Sequence, residues 1–439
     1  MAIILTGFIL VPVAAALLCL PLKRRGWLFV ATAAGLLSLA AYLYTIRPFN
    51  NLLVFQYHDV PLLVLDGLSH LVLTGVALAA LLYALYSVDE ERAIPYALYL
   101  LATAAGVILA GELVTLMLFS LLLLDACGHL AMAGGKKIGL GEGLSLGLAA
   151  GLLAGGLAAM MLISHATAIH LTIRTYPLLV KAMVLSGFTL LAGVLPFHRW
   201  LVKTSNPLIY AAVNTVGLYG IFRFAFNVFG LGRSGMLVLT VLGLSSLVYG
   251  GLVAFARRDL AYNNIAQTGV VLAAAGLASP LALMGALFHL LNLIVIKPLL
   301  VYAGDTADRA SGPLLSSCLV IGWLANAAIP PFNGFWSLHY VLLALAQQKA
   351  WPSALLLIPG LVIILALSLK VLKEKVFSAE PGGAPPVRWP QGTVLVISAV
   401  LCLLIGLNTG AVVTYLINPA VIALTNGTGY ARMIAGVLL

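Results

Sequence analysis

Stretches of about twenty apolar residues recur along the whole chain, and this recurrence decides what it can fold into. A helix needs about 20 apolar residues to cross the hydrocarbon core of a bilayer, and a helix satisfies its backbone groups internally. The sequence predicts spans over Ile3–Leu20, Trp27–Ile46, Leu68–Ser87, Ile94–Ala110, Leu113–Ala133 and Gly143–Ser164. It predicts further spans over Leu178–Leu195, Pro207–Phe229, Gly235–Ala256, Tyr262–Ser279 and Leu281–Ala303. The last ones fall over Leu315–Ile329, Gly334–Gln348, Ser353–Lys370 and Gly392–Leu407. The pieces on either side of Ile329-Pro330-Pro331-Phe332-Asn333-Gly334 read as one discontinuous helix.

Composition closes the other routes. Of 439 residues, 62% are hydrophobic and only 8% are charged, against about 25% charged in a soluble domain. That excludes a soluble enzyme, a nucleic-acid-binding domain and a secreted disulfide scaffold. Cys19, Cys127, Cys318 and Cys402 stand far apart in apolar runs, with no Cys-x-x-Cys and no Cys/His cluster. They read as buried thiols, not as ligands of zinc or an iron–sulfur cluster. No glycine-rich phosphate loop follows a strand pattern. The expectation is a chain without cofactor or metal of its own.

The net charge of +10 reports membrane orientation. The first apolar run has no basic residue before it and is followed by Lys23-Arg24-Arg25. It therefore reads as a span and not as a cleaved signal. Loops after the odd-numbered spans up to the eleventh hold eleven basic residues, among them Arg92, Lys136, Lys137 and Arg258. Loops after the even-numbered spans up to the tenth hold three, Arg47, Arg174 and Arg233. The positive-inside rule then places the N-terminus outside the cytoplasm, in a multi-pass protein of the cytoplasmic membrane. Pro48–Pro61 reads as an extramembrane loop, and Lys373–Pro390 as a linker.

Pro196-Phe197-His198-Arg199-Trp200 is echoed 135 residues later by Pro331-Phe332-Asn333-Gly334-Phe335-Trp336. Repeats with broken helices are a mark of transporter folds, in which unwound backbone lines an ion path.

Several motifs, in order over roughly residues 60–380, resemble a known family. Asp66-Gly67-Leu68-Ser69 resembles its Asp-Gly-Leu-Ser, and Pro196–Leu201 its Pro-Phe-His-x-Trp-Leu. Leu260-Ala261-Tyr262-Asn263-Asn264-Ile265 through Gly269 resembles Leu-Ala-Tyr-Ser-Ser-Ile-x-x-x-Gly. His289–Lys297 resembles a helix of the form His-Leu-x-Asn-His-Ala-x-Phe-Lys, and Pro330–Ser337 resembles Pro-Pro-x-x-Gly-Phe-x-Ser. The family is that of the antiporter-like subunits of respiratory complex I, group 4 membrane-bound hydrogenases and Mrp-type cation/proton antiporters.

The resemblance implies an all-α polytopic membrane fold of about fourteen helices, with two inverted five-helix repeats that each contain a discontinuous helix. Carried onto this chain, it implies an N-terminal three-helix region over 1–92 and repeats over 93–233 and 234–375. A linker and C-terminal helices would fill 376–439. The implied function is proton or sodium translocation in a redox-driven complex, by a subunit with no redox centre. Its partners would be further antiporter-like subunits and a peripheral electron-transfer arm. Two other implied readings are a degenerate, non-conducting scaffold subunit, and a module of an Mrp-type antiporter or inorganic-carbon uptake complex.

The resemblance also implies ionisable carriers near the membrane midplane, where a charge is costly unless it faces a hydrated interior. The first half departs from the pattern. Leu121 and Leu191 stand at the family's glutamate and lysine positions, and Asn214-Thr215-Val216 where a further lysine is usual. Asp125 lies one turn beyond Leu121, and Asp125 and His129 form an i, i+4 pair. That pair reads as a replacement relay or as a buried packing pair. Glu112 sits at a helix start, where the macrodipole favours an acid.

In the second half His289 and Lys297 fall on family positions. Leu293 lies between them, which sets the two about 12 Å apart on one helix face. Pro298 invites a local distortion. Leu338 replaces the family's last lysine, and His339 adjoins it. The expected ion-translocation residues are Lys297, His289, Asp125, His129 and His339. Arg223 and Lys181, toward span ends, read as snorkelling. His165, His170 and His198 read as loop or capping residues.

Overall fold

Each long apolar run forms a helix, and several start at a polar or proline-bearing cap. The computed structural model describes residues 2–22, 25–46, 53–57, 60–135, 139–165, 167, 175–204, 206–377 and 385–425. Lys23, Arg24, Arg47, Lys136, Lys137, His170 and Arg174 lie outside the described residues, as do parts of the expected loop and linker. The chain forms two units, Met1–Gly232 with Tyr415–Leu439, and Arg233–Thr414.

The first unit holds α1 (Ala2–Cys19), α2 (Gly26–Ile46), α3 (Gly67–Tyr86), α4 (Ile94–Leu109), α5 (Leu113–Ala133) and α6 (Leu140–Ser164). It continues with α7 (Leu178–Ala192), the short α8 (Arg199–Thr204) and α9 (Pro207–Phe222), which runs on as a π turn over Arg223–Val228. The second unit holds α10 (Arg233–Arg257), α11 (Leu260–Gly276), α12 (Pro280–Ala307), α13 (Pro313–Asn326) and α14 (Asn333–Gln347). It ends with α15 (Trp351–Leu372), α16 (Trp389–Leu407) and α17 (Thr409–Val412); α18 (Asn418–Thr425) belongs to the first unit. Among the described residues, nine helices are long and apolar enough to cross a membrane, and five shorter apolar ones accompany them.

The caps are legible residue by residue. The Asp66 carboxylate accepts from the Ser69 amide at 2.9 Å while the Ser69 hydroxyl accepts from the Asp66 amide at 2.7 Å. This reciprocal box starts α3. Asn206 caps α9 ahead of Pro207, and Ser279 caps α12 ahead of Pro280. α12 runs through Pro298 as one 28-residue α-helix, so the distortion expected there does not break it.

One feature departs from the all-helical expectation. β1 (Leu53–Tyr57), inside the stretch read as a loop, pairs antiparallel with β2 (Val60–Leu65), which begins in that stretch and runs past its end. The ladder extends through Leu63 opposite Ala110, and the Gly111 amide donates to the Leu62 carbonyl at 2.9 Å. Leu53, Leu63 and Leu65 are buried, so the strands hold their apolar side against the unit.

Two helices are interrupted. The first break separates α7 from α8: Gly193 ends α7 at φ +62°, in the left-handed region that favours glycine. Pro196 follows with a cis bond to Leu195. The second break separates α13 from α14 over residues 327–332, where Pro331 has a cis bond to Pro330. A methyl added at Gly334 would meet the Ala325 carbonyl oxygen at 2.0 Å, so only glycine lets the two ends meet.

Helices α10 and α11 touch backbone to backbone. A Cβ at Gly269 would lie 2.5 Å from the Gly243 carbonyl, and one at Gly243 would lie 2.2 Å from the Ala273 nitrogen. Such small-residue contact is how helices approach closely where lipid leaves little hydrophobic drive for association. Among the described residues of α11, every position from Asn263 to Gly276 is buried.

Candidate functional site

The polar side chains of the second unit gather in its interior, around the break between α13 and α14. His289, midway along α12, is 4% exposed. Its Nδ1 lies 2.9 Å from Ser337 Oγ on α14, and its Nε2 lies 2.9 Å from Gln267 Oε1 on α11. Gln267 Nε2 donates to Asn326 Oδ1 at 2.9 Å and to the Asn326 carbonyl at 3.0 Å. The latter is one of the carbonyls left open where α13 ends.

Asn326 makes a second bond to α11 and ties in α15. Its Oδ1 accepts from Asn263 Nδ2 at 3.0 Å, and its Nδ2 donates to Ser368 Oγ on α15 at 3.2 Å. On the far side of the break, Asn292 Nδ2 donates to Ser337 Oγ at 2.9 Å and to the Asn333 carbonyl at 3.1 Å.

The hydrogen bonds assign the histidine proton. Gln267 directs its amide nitrogen at Asn326, so its Oε1 faces His289 and accepts. Nε2 therefore carries a proton in every state, and only Nδ1 changes. When Nδ1 is bare it accepts from the Ser337 hydroxyl. When Nδ1 is protonated it donates to Ser337 Oγ, whose proton turns to the Gly334 carbonyl at 2.9 Å. The Asn292 donation to Ser337 persists in both arrangements.

Lys297 lies two turns beyond His289 on α12, 4% exposed, with Nζ 3.4 Å from Thr268 Oγ1. Thr268 donates to the Asn264 carbonyl at 2.7 Å. Leu293, between the histidine and the lysine, is buried. Asn264 Nδ2, Asn292 Oδ1 and both side-chain polar atoms of Asn333 are buried with no protein hydrogen-bond partner. Polar atoms so placed are usually met by water.

The corresponding break in the first unit is closed. Asn214 Nδ2 donates to the Ala192 carbonyl, and Trp200 Nε1 donates to the Leu190 carbonyl at 2.7 Å. Leu191, fully buried, lies between those two positions. Neutral side chains thus meet two of the last carbonyls of that helix.

Of the five expected residues, His289 and Lys297 are buried two turns apart on α12, in the interior of the second unit. His339 is exposed, with its ring 5.9 Å from Phe335 and 5.8 Å from Trp336. One residue is about 100° of helix, so Ser337 takes the inward position and His339 the outward one. Asp125 and His129 do pair, Nε2 to Oδ1 at 3.5 Å, but their side chains are 54% and 46% exposed. They form no buried packing pair.

Arg223 does not snorkel. It is 4% exposed and binds Asp66 through both guanidinium nitrogens. Lys181 lies 6.0 Å from the centre of the Phe229 ring. His165 forms the left-handed C-cap of α6, Glu112 the N-cap of α5, and His198 is buried beside α8. Sequence reasoning missed Gln267, Asn326, Ser337 and Thr268 as parts of the site. The signal that could have found them was amide and hydroxyl residues at helical spacing inside apolar runs, as at Asn263/Gln267 and Asn264/Thr268.

Among the described residues, no three His, Cys, Asp or Glu side chains come together as a metal site would require. The four cysteines are free and buried.

Residues 109–363 match the NADH:quinone oxidoreductase/Mrp antiporter transmembrane family. The chain is 27% identical to a probable K(+)/H(+) antiporter subunit of Rhizobium meliloti, over 97% of this chain and 49% of that protein. It is 29% identical to formate hydrogenlyase subunit 3 of Escherichia coli, over 50% of this chain and 44% of that one. The chain thus spans about half the length of these curated relatives. Its fold is that of a chain in the Mrp complex of Dietzia, with a TM-score of 0.86, 20% identity and 99% of each chain covered.

Proposed function

Since this chain belongs to the NADH:quinone oxidoreductase/Mrp antiporter transmembrane family, we propose that it is an ion-translocating membrane subunit of a multisubunit complex, with its ion route in the second unit. The observation that carries this reading is the placement of His289 between Gln267 and Ser337, beside a broken helix, with Lys297 two turns away. Among the amides and hydroxyls gathered there stand an imidazole and an ammonium, which exchange protons and offer no oxygen ligand to a metal cation. The transported ion is therefore the proton.

The step at His289 follows from its hydrogen bonds. A proton arriving at Nδ1 turns the Ser337 hydroxyl from His289 to the Gly334 carbonyl, and a proton leaving reverses it. Passage between His289 and Lys297, about 12 Å along α12, runs through water, and the buried unpaired atoms of Asn264, Asn292 and Asn333 supply polar partners for it. The helices of residues 93–233 and 234–375 act as the two inverted five-helix repeats, within about fourteen crossings, and α7/α8 and α13/α14 are their broken members. The host is a redox-driven complex of the hydrogenase or complex I kind in the cytoplasmic membrane, with the N-terminus outside. Its other members are further antiporter-like subunits and a peripheral electron-transfer arm.

A second reading is a non-conducting scaffold. It is favoured by the first unit, where Leu191 is buried beside a break closed by Asn214 and Trp200. Proton flux in proteoliposomes that hold the assembled complex separates the two. His289→Leu should lower flux per turnover by about tenfold or more, since it removes the titrating group. Unchanged flux in a fully assembled complex would favour the scaffold.

A further inference from the structure

A carboxylate exposed halfway along a membrane helix needs an explanation that packing within the chain does not give. Asp125 lies about 18 Å from the start of α5 and about 12 Å from its end, at 1.5 Å per residue. Its side chain is 54% exposed. An aspartate stem is too short to reach the interface from that depth, and a carboxylate facing hydrocarbon is costly. A phospholipid headgroup does not reach that depth either.

The surroundings of Asp125 are built rather than incidental. Tyr99 Oη of α4 donates to Asp125 Oδ2 at 3.3 Å, and His129 Nε2 approaches Oδ1. The Tyr96 ring stacks on His129 at 5.5 Å and 12°. Leu118 and Met132 flank the pair on the same face of α5 and are 51% and 48% exposed. Toward the C-terminal end of the helix, exposed Asp89, Glu90, Glu91 and Arg92 line a recess with Ala133 and Gly134, three acids against one base. The face is therefore apolar at its flanks, carries an acid midway along α5 and meets a turn with net acidic charge at one rim.

We infer that this face of α4 and α5 docks a transmembrane helix of a companion subunit, which sets a lysine or arginine against Asp125 and basic residues against the Asp89–Glu91 turn. Opposite charges at matched depth fix both register and partner, because a wrong helix leaves a charge unpaired in hydrocarbon. This rests on the reading of the chain as a subunit of a complex, and it stands whether or not the second unit conducts.

The test uses the assembled complex in its own membrane. A photoactivatable phenylalanine analogue replaces Leu118 or Met132, alone and together with Asp125→Lys. The inference expects a cross-link from both positions to one companion membrane protein, at a helix bearing a lysine or arginine. Asp125→Lys should cut that cross-link and co-purification of the companion at least tenfold, and exchange of the companion's basic residue for aspartate should restore both. Cross-links to lipid alone, or to a second copy of this chain, overturn the inference. So does a companion that cross-links equally well beside Asp125→Lys. A complex that purifies with companions but without this cross-link defeats the docking face alone, whereas a chain that purifies with no companion defeats the subunit reading itself.

Discussion

Arg223 closes on Asp66 with two hydrogen bonds of 2.7 Å, one from each terminal guanidinium nitrogen, across 157 residues of sequence. Both side chains are 5% exposed. The same carboxylate caps α3, and Arg223 Nη1 also donates to Asn227 Oδ1, whose Nδ2 reaches the Ala423 carbonyl of α18 at 2.8 Å. One ion pair thus joins three helices of the first unit. A fork-to-fork pair is the geometry in which a guanidinium binds most firmly.

Removing one partner should therefore cost more than removing both. Asp66→Leu leaves a buried guanidinium uncompensated and should cost about 3–5 kcal/mol. Asp66→Leu with Arg223→Met should recover a large part of that loss, less the cap. Thermal melting of the purified complex with each single and the double variant reads this coupling; additive losses would contradict it.

The seam between α10 and α11 makes a steric prediction. Gly269→Val places its Cβ 2.5 Å from the Gly243 carbonyl, and overpacking of this kind costs about 1–3 kcal/mol. At Gly35 of α2 nothing lies within 4 Å of an added Cβ, so Gly35→Ala should leave stability unchanged or slightly raised. Folded yield and melting temperature of the two variants check the contrast.

Ser337 should matter through its hydroxyl. Ser337→Ala removes the hydroxyl that hydrogen-bonds His289 Nδ1 and leaves that buried nitrogen without its partner, a loss of about 1–3 kcal/mol. Proton flux should fall by roughly tenfold or more, with assembly intact. Ser337→Thr keeps the hydroxyl and should retain most of the flux. Flux measured in proteoliposomes for both variants tests the part played by the Ser337 hydroxyl directly.

Gln267 fixes the histidine tautomer, so its replacement should show without any measurement of transport. Gln267→Leu removes the acceptor that holds the proton on Nε2. Nitrogen NMR shifts of labelled His289 should then change from a single Nε2–H form to a tautomer mixture. Unchanged shifts would mean that Gln267 does not orient the ring.

How far the sequence carries a reader depends on what each residue must contact. Apolar runs and their caps located the helices, since a cap such as Asp66/Ser69 or Ser279 is a local arrangement. The two breaks were visible as prolines beside aromatics at Pro196 and Pro331. Facing was not visible. Helix α5 is apolar all round, so nothing in its pattern said that Asp125 and His129 point outward. Arg223 read as a span-end residue because its partner is 157 positions away. The choice between Ser337 and His339 turns on one step of about 100° around α14, finer than any motif spacing. The strands Leu53–Tyr57 and Val60–Leu65 were hidden because apolar runs too short to cross a membrane, with Pro61 among them, read as a connection until a partner such as Ala110 fixes their edge.

The central claim is that ions cross this subunit past Lys297, and the direct measurement is the number of protons moved per catalytic turnover of the reconstituted complex. Lys297→Ala is compared with wild type at equal assembly and equal turnover of the host reaction. The account predicts that protons moved per turnover fall by the share this subunit carries, while turnover itself continues. An unchanged ratio in the fully assembled variant would contradict it and leave the antiporter fold here as a scaffold.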